Sequence, residues 1–402
     1  MAGGLVIVGG GPGGLSAARG YRQAGGVGSV LILSADDHAP YLRILLSKEY
    51  LRGTVGEDDF PIEPTKWYAD QRVSLRLGSE VARLDRTARE VELADGARVR
   101  FDRLVLATGS QPKPLPVPGA DDPGVILVRD RASGEAMKAA VGPGHRVVVI
   151  GSGFVGCEVA AALALKGTDV TLITDEDVPH AARLGPEPGR QIGAWLRAAG
   201  VDLRLGSGVA AIERVGDDWT IRLVDSSTVT AEVVISASGA QPTAGTRLAD
   251  HAGLTVDQGG VAVDERLRTD DETVWAVGDL AYAYHPAAGR RLRVEHWADA
   301  ETMGEIAGAD IAAAEAGQRG ERTWTVAPGF WTTIGDQVLK YSAWGDGYDQ
   351  SRLVAGEGDG WAVWYGLDGI VVGVLTHNWD EAYDRGGKLL AEGADYQSAV
   401  SS

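Results

Sequence analysis

The stretch LVIVGGGPGGLSAARGYRQA, residues 5–24, runs from a short β-branched segment through a glycine turn into an alanine-rich segment. Gly9, Gly11 and Gly14 have the G-x-G-x-x-G spacing, and a second apolar segment, 30–33, follows at the distance expected of a second strand. Glycines so spaced allow a tight turn, close approach of a pyrophosphate to the backbone and close packing of helix on strand, while the helix N-terminus attracts phosphate. The stretch therefore predicts a Rossmann-like dinucleotide-binding fold.

The same pattern returns in RVVVIGSGFVGCEVAAAL, residues 146–163. Here a strand leads into Gly151, Gly153 and Gly156, and a helix is expected to begin near Phe154. Two dinucleotide-binding folds in one chain indicate one bound flavin and one visiting nicotinamide nucleotide. A Rossmann-like core without nucleotide is the less favoured alternative.

Acidic residues follow the second strand of the second fold. The segment DVTLITDED, 169–177, supplies that strand and then Asp175 and Glu176, which can accept hydrogen bonds from a ribose 2′-hydroxyl. A 2′-phosphate would need a basic residue instead, and the first one after the strand is Arg183. The pattern favours NADH over NADPH.

Two more buried strands end in residues suited to a ligand. Segment 104–106 runs into Ala107, Thr108 and Gly109, and far downstream another strand ends at Gly278 and Asp279. An acid at the end of a buried strand suits a ligand hydroxyl better than a hydrophobic core.

Composition narrows the class of protein. The 402 residues are 44% hydrophobic, which is enough for two or three domains with buried cores. A single cysteine, Cys157, excludes an internal disulfide, a zinc cluster and a self-contained iron–sulfur centre, and the seven histidines show no metal-ligand spacing, so no metal site is predicted. The first ten residues lack a basic region and no apolar run approaches roughly 18 residues, so we expect a soluble, cytoplasmic protein.

The formal net charge of −18 argues against nucleic acid or an anionic membrane as a partner, because both would be repelled. Arg290, Arg291 and Arg293 form a local basic cluster within this acidic chain. The cluster is either a solvated loop or a docking site for an acidic protein.

Taken in order, the motifs resemble those of the two-dinucleotide flavoprotein reductases. They are G-x-G-x-x-G from Gly9, A-T-G at 107–109, G-x-G-x-x-G from Gly151, G-x-x-P from Gly239, and A-x-G-D at 276–279. The segments PYLRILLSKEYL, 40–51, and VEHWADAETMG, 294–304, resemble more narrowly the oxygenase-type ferredoxin reductases. This is the putidaredoxin and rubredoxin reductase group, to which apoptosis-inducing factor is also similar.

The resemblance implies an α/β fold with two Rossmann-like domains, one for FAD and one for NAD, and a small α+β C-terminal domain. The FAD-binding domain would comprise 1–116 and 241–321, the NAD-binding domain 117–240, and the C-terminal domain 322–402. In the last we expect an antiparallel sheet containing 337–344, 360–367 and 369–376, followed by one helix at 380–392.

The resemblance also implies roles for single side chains. Lys48 matches the family lysine beside the flavin, on the helix where related disulfide reductases carry thiols, and Glu158 matches the glutamate that meets this lysine and the nicotinamide carboxamide. Both would position hydride transfer rather than move a proton. The plainer alternatives are a solvated helix lysine and an acid that complements a helix dipole. Cys157 falls among small apolar helix residues and is predicted to serve packing.

Four more residues match positions near the flavin in this family. They are Arg43 and Arg129, which could otherwise be ordinary surface charges, and Trp297 and Trp331, which could otherwise belong to a core.

The chain departs from the family pattern at three places. At the end of the second FAD strand the family acid is replaced by Ala35, so either Asp36 serves the adenosine ribose or the contact is missing. Residues 44 and 45, isoleucine and leucine, stand where the family has prolines. After 330–331 the C-terminal segment no longer follows the family pattern, which leaves the electron acceptor open.

We therefore expect an FAD-dependent enzyme that takes hydride from NADH and passes electrons singly to a ferredoxin or rubredoxin, in support of an oxygenase. One alternative is an NADH-dependent reductase of small acceptors such as quinones or oxygen. The other is a redox-sensing protein that resembles apoptosis-inducing factor. The sequence is compatible with a monomer or a homodimer.

Overall fold

The computed structural model describes residues 4–345 and 347–401; the outermost residues of the predicted FAD-binding and C-terminal domains, 1–3 and 402, lie outside this range. The helices are α1 Pro12–Gln23, α2 Glu49–Arg52, α3 Thr65–Asp70, α4 Arg131–Ala140, α5 Phe154–Ala164, α6 Ala181–Leu184, α7 Pro186–Ala198, α8 Thr243–His251, α9 Trp297–Glu315, α10 Asp380–Glu392 and α11 Tyr396–Ser401. Short 3₁₀ turns lie at Arg43–Leu45, Glu57–Asp59 and Gly278–Leu280.

The strands of the first half of the chain are β1 Leu5–Val8, β2 Val30–Leu33, β3 Val73–Arg76, β4 Val81–Asp85, β5 Glu90–Leu93, β6 Arg98–Arg100, β7 Arg103–Leu106, β8 Gln111–Pro112, β9 Val125–Leu127, β10 Arg146–Ile150, β11 Asp169–Ile173 and β12 Asp202–Arg204. Those of the second half are β13 Val209–Val215, β14 Asp218–Leu223, β15 Thr228–Ala231, β16 Val233–Ser236, β17 Ala240–Gln241, β18 Val256–Asp257, β19 Gly260–Val263, β20 Val274–Ala276, β21 Ala281–His285, β22 Arg290–Leu292, β23 Gly329–Ile334, β24 Gln337–Ala343, β25 Gln350–Ala355, β26 Trp361–Leu367 and β27 Ile370–His377.

The chain forms two compact units, each discontinuous in sequence. The described part of unit 1 comprises 4–42, Pro61–Gln111 and Gln241–Phe330. Unit 2 comprises Arg43–Phe60, Pro112–Ala240 and the described part of 331–402. The division into three domains at 116, 240 and 321 stays a prediction.

Unit 1 is built on a parallel sheet of order β20-β7-β1-β2-β3. Val8 pairs with Leu33 on one side and with Leu106 on the other, so these strands end at the same edge. The residues that follow, Gly9 among them, are therefore presented together at the carboxyl edge of the sheet, where nucleotides bind in such folds. This arrangement confirms the predicted first Rossmann-like fold.

Helices α1 and α9 of unit 1 pack at short range because glycines line their contact. A Cβ added to Gly304 would lie 2.3 Å from the carbonyl oxygen of Gly13, and one added to Gly308 would lie 2.1 Å from that of Ala17. Only residues without a side chain allow the backbones this close. The nineteen-residue α9 thereby covers the glycine-rich helix along its length.

Unit 2 contains a second parallel sheet, of order β12-β11-β10-β16-β9. Ile150 pairs with Ile173 and with Ser236, so the turn that starts at Gly151 lies at the carboxyl edge of this sheet too. The sheet confirms the second Rossmann-like fold. A three-stranded antiparallel sheet, β13-β14-β15, belongs to the same unit.

The C-terminal strands of unit 2 form an antiparallel sheet of order β23-β24-β27-β26-β25. The expected strands 337–344, 360–367 and 369–376 correspond to β24, β26 and β27. Side chains of this sheet share one hydrophobic cluster with the second parallel sheet and α5; its members include Val149, Cys157, Trp361, Tyr365 and Leu375.

Three local expectations need correction. The C-terminal segment ends in two helices rather than one, because α11 follows α10 after a turn at Gly393 with φ of 61°. Strands β23 and β25 also belong to its sheet and were not expected. Lys48 is not inside a helix: it is the N-cap residue of α2, with φ of −129° and ψ of −98°.

Within the described residues, no helix is both long and apolar enough to cross a membrane. The same part of the chain brings together no group of three or more histidine, cysteine or acidic side chains suited to a metal ion.

Candidate functional site

The first glycine turn, in unit 1, shows a different constraint at each of its three glycines. Gly9 has φ of 123°, and a Cβ there would lie 2.1 Å from the carbonyl oxygen of Ala107. A Cβ at Gly14 would lie 2.1 Å from the carbonyl oxygen of Gly9, which is the close helix–strand packing expected of the third glycine. At Gly11, apart from the glycine and its two chain neighbours, no described atom lies within 4 Å of the added Cβ. The middle of the turn is thus open where a pyrophosphate would meet the backbone.

Polar groups at the neighbouring strand ends are placed for a ligand. Thr108 follows Ala107, and its hydroxyl oxygen is buried without a hydrogen-bond partner among the described residues. Asp279, in the turn that begins at Gly278, accepts a hydrogen bond of 2.6 Å from the Ser110 hydroxyl. The unsatisfied threonine and the open glycine fit a bound dinucleotide.

Ser110 was not among the predicted residues, although it directly follows the A-T-G motif. Gly109, the last residue of that motif, has φ of 66°, a conformation that favours glycine.

Asp36 lies in the loop after β2 and is part of that loop's own structure. Its carboxylate accepts hydrogen bonds from the backbone N–H and ring Nδ1 of His38 at 3.0 and 3.1 Å, and from the Tyr41 hydroxyl at 2.9 Å. These three bonds tie the carboxylate to the backbone and side chains of its own loop. The role of Asp36 in place of Ala35 stays a prediction.

Trp297 is the first residue of α9 and donates a hydrogen bond to Glu301, one turn further along the helix. Burial raises the pKa of the Glu301 carboxyl. The tryptophan is therefore held by its own helix.

The second glycine turn, in unit 2, repeats the stereochemistry of the first. Gly151 has φ of 104°, and a Cβ there would lie 2.6 Å from the carbonyl oxygen of Ala237. A Cβ at Gly156 would lie 2.0 Å from the carbonyl oxygen of Gly151, and at Gly153 no described atom lies within 4 Å. The chain thus contains two turns that are each closed at the outer glycines and open at the middle one.

The acidic residues after β11 differ in their surroundings. Asp175 is exposed. Glu176 accepts a hydrogen bond from Ser152, inside the glycine turn, and another from the backbone N–H of Ala182, at 2.9 and 2.8 Å. Glu176 thereby fixes the loop after β11 against the turn. Ser152 was not predicted, because the middle of a G-x-G motif accepts many residue types.

A buried ion pair with two hydroxyl groups lies near the start of α5. Lys48 Nζ is 2.8 Å from Glu158 Oε1, and both side chains are less than a tenth exposed. Thr332 donates to the same oxygen, and Ser47 donates to Oε2, both at 2.5 Å. The carboxylate therefore accepts from three donors, which fix its orientation.

The predicted pair Lys48 and Glu158 thus comes together, while Ser47 and Thr332 were missed. Each missed residue adjoins a predicted one in sequence, so adjacency to Lys48 or Trp331 was the only available signal.

Three further predicted residues lie in unit 2. The Lys48 ammonium lies 5.1 Å from the ring centroid of Trp331, whose side chain is 49% exposed. Arg43 donates a hydrogen bond of 3.4 Å to the backbone carbonyl of Arg129. The structure therefore brings together Lys48 with Trp331, and Arg43 with Arg129.

Gly239 has φ of 103° and accepts a hydrogen bond of 2.8 Å from the backbone N–H of Lys113. No described atom lies within 4 Å of a Cβ built at Gly239.

Cys157 is fully buried in the α5 core, and its thiol donates to the backbone carbonyl of Ser152 at 3.3 Å. Burial, with Glu158 and Glu176 adding to the effect, raises the pKa of the thiol far above its ordinary value. Since the thiolate is the reactive form, this residue is inert in the folded protein, in agreement with the predicted packing role.

Comparison with known proteins agrees with this arrangement. The family model described as Pyridine nucleotide-disulphide oxidoreductase matches residues 4–304. Rhodocoxin reductase of Rhodococcus erythropolis is 33% identical over 356 residues, which cover 88% of this chain and 81% of the relative. The ferredoxin–NAD(+) reductase component of the anthranilate 1,2-dioxygenase system of Burkholderia cepacia is 32% identical over 400 residues, covering 97% of this chain and 94% of the relative.

Among solved structures, the reductase of the covalent putidaredoxin reductase–putidaredoxin complex superimposes with a TM-score of 0.90 at 27% identity, covering 99% of this chain and 95% of the other.

Proposed function

The chain belongs to the pyridine nucleotide-disulphide oxidoreductase family, and we propose that within it the protein is an FAD-dependent NADH:ferredoxin or NADH:rubredoxin reductase. It is an oxidoreductase that uses a flavin and NAD(H), as members of this family do. One observation supports the proposal most directly: two open glycine turns occur in a chain whose single thiol is sealed in a core. Because the chain has no accessible thiol to accept electrons from the flavin, the electrons must pass to another molecule.

FAD is the nucleotide proposed for unit 1. The open backbone at Gly11 and the N-terminus of α1 would hold its pyrophosphate, and Asp36 the adenosine ribose. Thr108 and Asp279 offer polar groups at the same sheet edge. When bound, a flavin accepts a hydride pair and can release electrons singly.

NADH is the nucleotide proposed for unit 2. Its pyrophosphate would bind at Gly153 and the N-terminus of the eleven-residue α5. Asp175 and Glu176 offer acceptors to a ribose 2′-hydroxyl, and their charge would repel a 2′-phosphate. NADPH should therefore bind more weakly than NADH.

Lys48 and Glu158 supply a fixed charge arrangement rather than an acid or a base. The ammonium is held by the carboxylate, so it can stabilise negative charge placed beside it without reorganisation. Among the described residues, Glu158 Oε2 accepts one hydrogen bond, from Ser47, so it keeps acceptor capacity for a carboxamide N–H. Both residues therefore contribute by positioning.

The electron acceptor follows from the relatives. The Burkholderia cepacia relative is named as a ferredoxin–NAD(+) reductase component and a Pseudomonas putida relative as a rubredoxin–NAD(+) reductase. We propose that this chain likewise reduces a ferredoxin or a rubredoxin, which then supplies electrons to an oxygenase.

Anaerobic stopped-flow spectroscopy tests the proposal. The purified protein is mixed with NADH or NADPH, flavin absorbance is followed, and the reduced protein is then mixed with a [2Fe–2S] ferredoxin or a rubredoxin. We expect faster bleaching by NADH than by NADPH and rapid reoxidation by at least one protein acceptor. If quinone or oxygen reoxidised the flavin rapidly and neither protein did, the proposed protein acceptor would be wrong. If the chain purified without flavin, the assignment of FAD as its cofactor would be wrong.

A further inference from the structure

His180 is a buried histidine in the loop between β11 and α6. It is 5% exposed, and its Nε2 has no hydrogen-bond partner among the described residues. Its backbone is left-handed, with φ of 60° and ψ of 23°, immediately before α6. A buried polar atom without a partner costs free energy, so its presence needs an explanation.

The histidine belongs to the loop that Glu176 fixes against the second glycine turn. That glutamate bonds Ser152 within the turn and Ala182 just beyond the histidine. The His180 ring lies against the ring of Phe154, with centroids 3.9 Å apart and planes at 37°. Phe154 follows the open Gly153 and is the first residue of α5, so the imidazole contacts the first side chain of the helix whose N-terminus is the proposed pyrophosphate position.

The imidazole is neutral at physiological pH. Burial, with a smaller contribution from Arg183, lowers the pKa of His180 to about 3. A neutral imidazole carries one N–H donor, so Nε2 can hold the proton and donate it to an oxygen.

We propose that His180 is a nucleotide-binding residue, whose Nε2–H donates a hydrogen bond to an oxygen of the NADH pyrophosphate or of an adjoining ribose. This inference rests on the proposed binding of NADH in unit 2. Binding would satisfy the unpartnered atom, and the strained loop conformation would be retained for this contact.

Isothermal titration of the flavin-loaded protein with NAD⁺ and with ADP-ribose tests the proposal under non-turnover conditions. His180→Phe keeps a flat ring against Phe154 and removes the nitrogen. Loss of one hydrogen bond should raise the Kd of both ligands by roughly tenfold. His180→Gln, which returns an N–H near the position of Nε2, should recover part of the affinity.

His377→Phe is the matched control. His377 is also buried in unit 2, and its Nδ1 bonds the Val338 carbonyl in the C-terminal sheet at 2.9 Å. The His377→Phe variant should leave the Kd values of NAD⁺ and ADP-ribose unchanged.

Equal affinity of His180→Phe and wild type for both ligands would overturn the proposal, as would weaker binding shared equally by His377→Phe. Weaker NAD⁺ binding with unchanged ADP-ribose binding would place the contact on the nicotinamide side and also overturn it. A wild type that binds neither ligand would instead overturn the proposed function.

Discussion

Glu158 is held by three donors from two separate parts of the chain, both distant in sequence from the glutamate. Ser47 and Lys48 precede α2, Thr332 lies in β23, and the carboxylate itself projects from α5. Local sequence patterns report periodicity and caps within one segment, so they could indicate Lys48 and Glu158 only through the family resemblance. For the two hydroxyl residues, Ser47 and Thr332, the sequence offered no signal beyond adjacency to Lys48 and Trp331, because hydrogen bonds over such sequence separations leave no local pattern.

Replacing Glu158 by glutamine removes the counter-charge of Lys48 while nearly preserving volume. Because a buried ammonium without its partner is unfavourable, we expect the free energy of unfolding to fall by about 3 kcal/mol. The rate of flavin reduction by NADH should fall as well. Urea denaturation and anaerobic stopped-flow measure the two effects.

Glu187→Gln, at an exposed position in the first turn of α7, makes the same chemical change and should alter neither quantity appreciably. If Glu158→Gln kept both wild-type stability and wild-type reduction rate, the ion pair would have no role in positioning.

The lowered pKa of His180 predicts how the stability of the protein depends on pH. Its pKa is about 3 in the folded protein and 6.5 in an unfolded chain. Below pH 6.5 the unfolded chain gains a proton that the folded protein does not, so stability falls as the pH falls toward 3. Between these two pKa values, His180 should lower the free energy of unfolding by about 1.4 kcal/mol for each pH unit of acidification.

The contribution is obtained by comparing wild type with His180→Phe in urea denaturation from pH 7 to pH 4.5. Carboxylates and the other histidines are common to both proteins and cancel in the difference. We expect the variant to lose less stability on acidification. Parallel pH profiles would show that the imidazole is protonated in the folded protein.

At the scale of elements, the two glycine turns were predicted completely, because their spacing, strands and helices are all local. The edge strand β25 was missed because most of its residues are exposed and it lacks alternating burial. The helix α11 was missed because it has only six residues and no charged residue in its first or last turn. Short edge elements depend on the neighbours they pack against, which a single segment does not reveal.

The open glycines allow the two proposed nucleotide sites to be impaired separately. Gly11 and Gly153 have φ of −88° and −68°, which alanine adopts, and an added methyl group meets no described atom within 4 Å. Alanine should therefore leave folding intact and occupy space needed by a phosphate. We expect Gly11→Ala to reduce bound flavin several-fold, and Gly153→Ala to retain flavin and raise the Kd of NADH several-fold.

Gly14→Ala and Gly156→Ala are the matched structural variants. Their added methyl groups would lie 2.1 and 2.0 Å from backbone carbonyl oxygens, so each should lower the melting temperature. Flavin absorbance per protein measures bound flavin, calorimetric titration measures the Kd of NADH, and thermal denaturation measures the melting temperature. Normal ligand binding by both Gly11→Ala and Gly153→Ala would contradict the assignment of these turns to dinucleotides.

At the scale of the whole molecule, the net charge of −18 opposes association with an acidic partner protein. The arginine cluster of residues 290, 291 and 293 is a local basic site in this acidic chain. Arg291 and Arg293 are exposed, and Arg290 is half-buried. Arg291 donates to the Val263 carbonyl at 3.2 Å, while Arg293 is 3.7 Å from Glu295. The two exposed guanidinium groups therefore remain partly available to an acidic surface.

If this cluster guides an acidic ferredoxin, the double variant Arg291→Glu and Arg293→Glu should lower kcat/KM for that ferredoxin about tenfold at low ionic strength. The difference should shrink at high salt, since screening weakens the attraction that the wild type uses. Reduction of the flavin by NADH should be unchanged, because it involves no protein partner. The control variant Arg98→Glu and Arg100→Glu makes the same change in net charge at exposed positions of β6. Equal losses in the two variants would show that only total charge matters, whereas no loss in either would place the docking surface elsewhere on the chain.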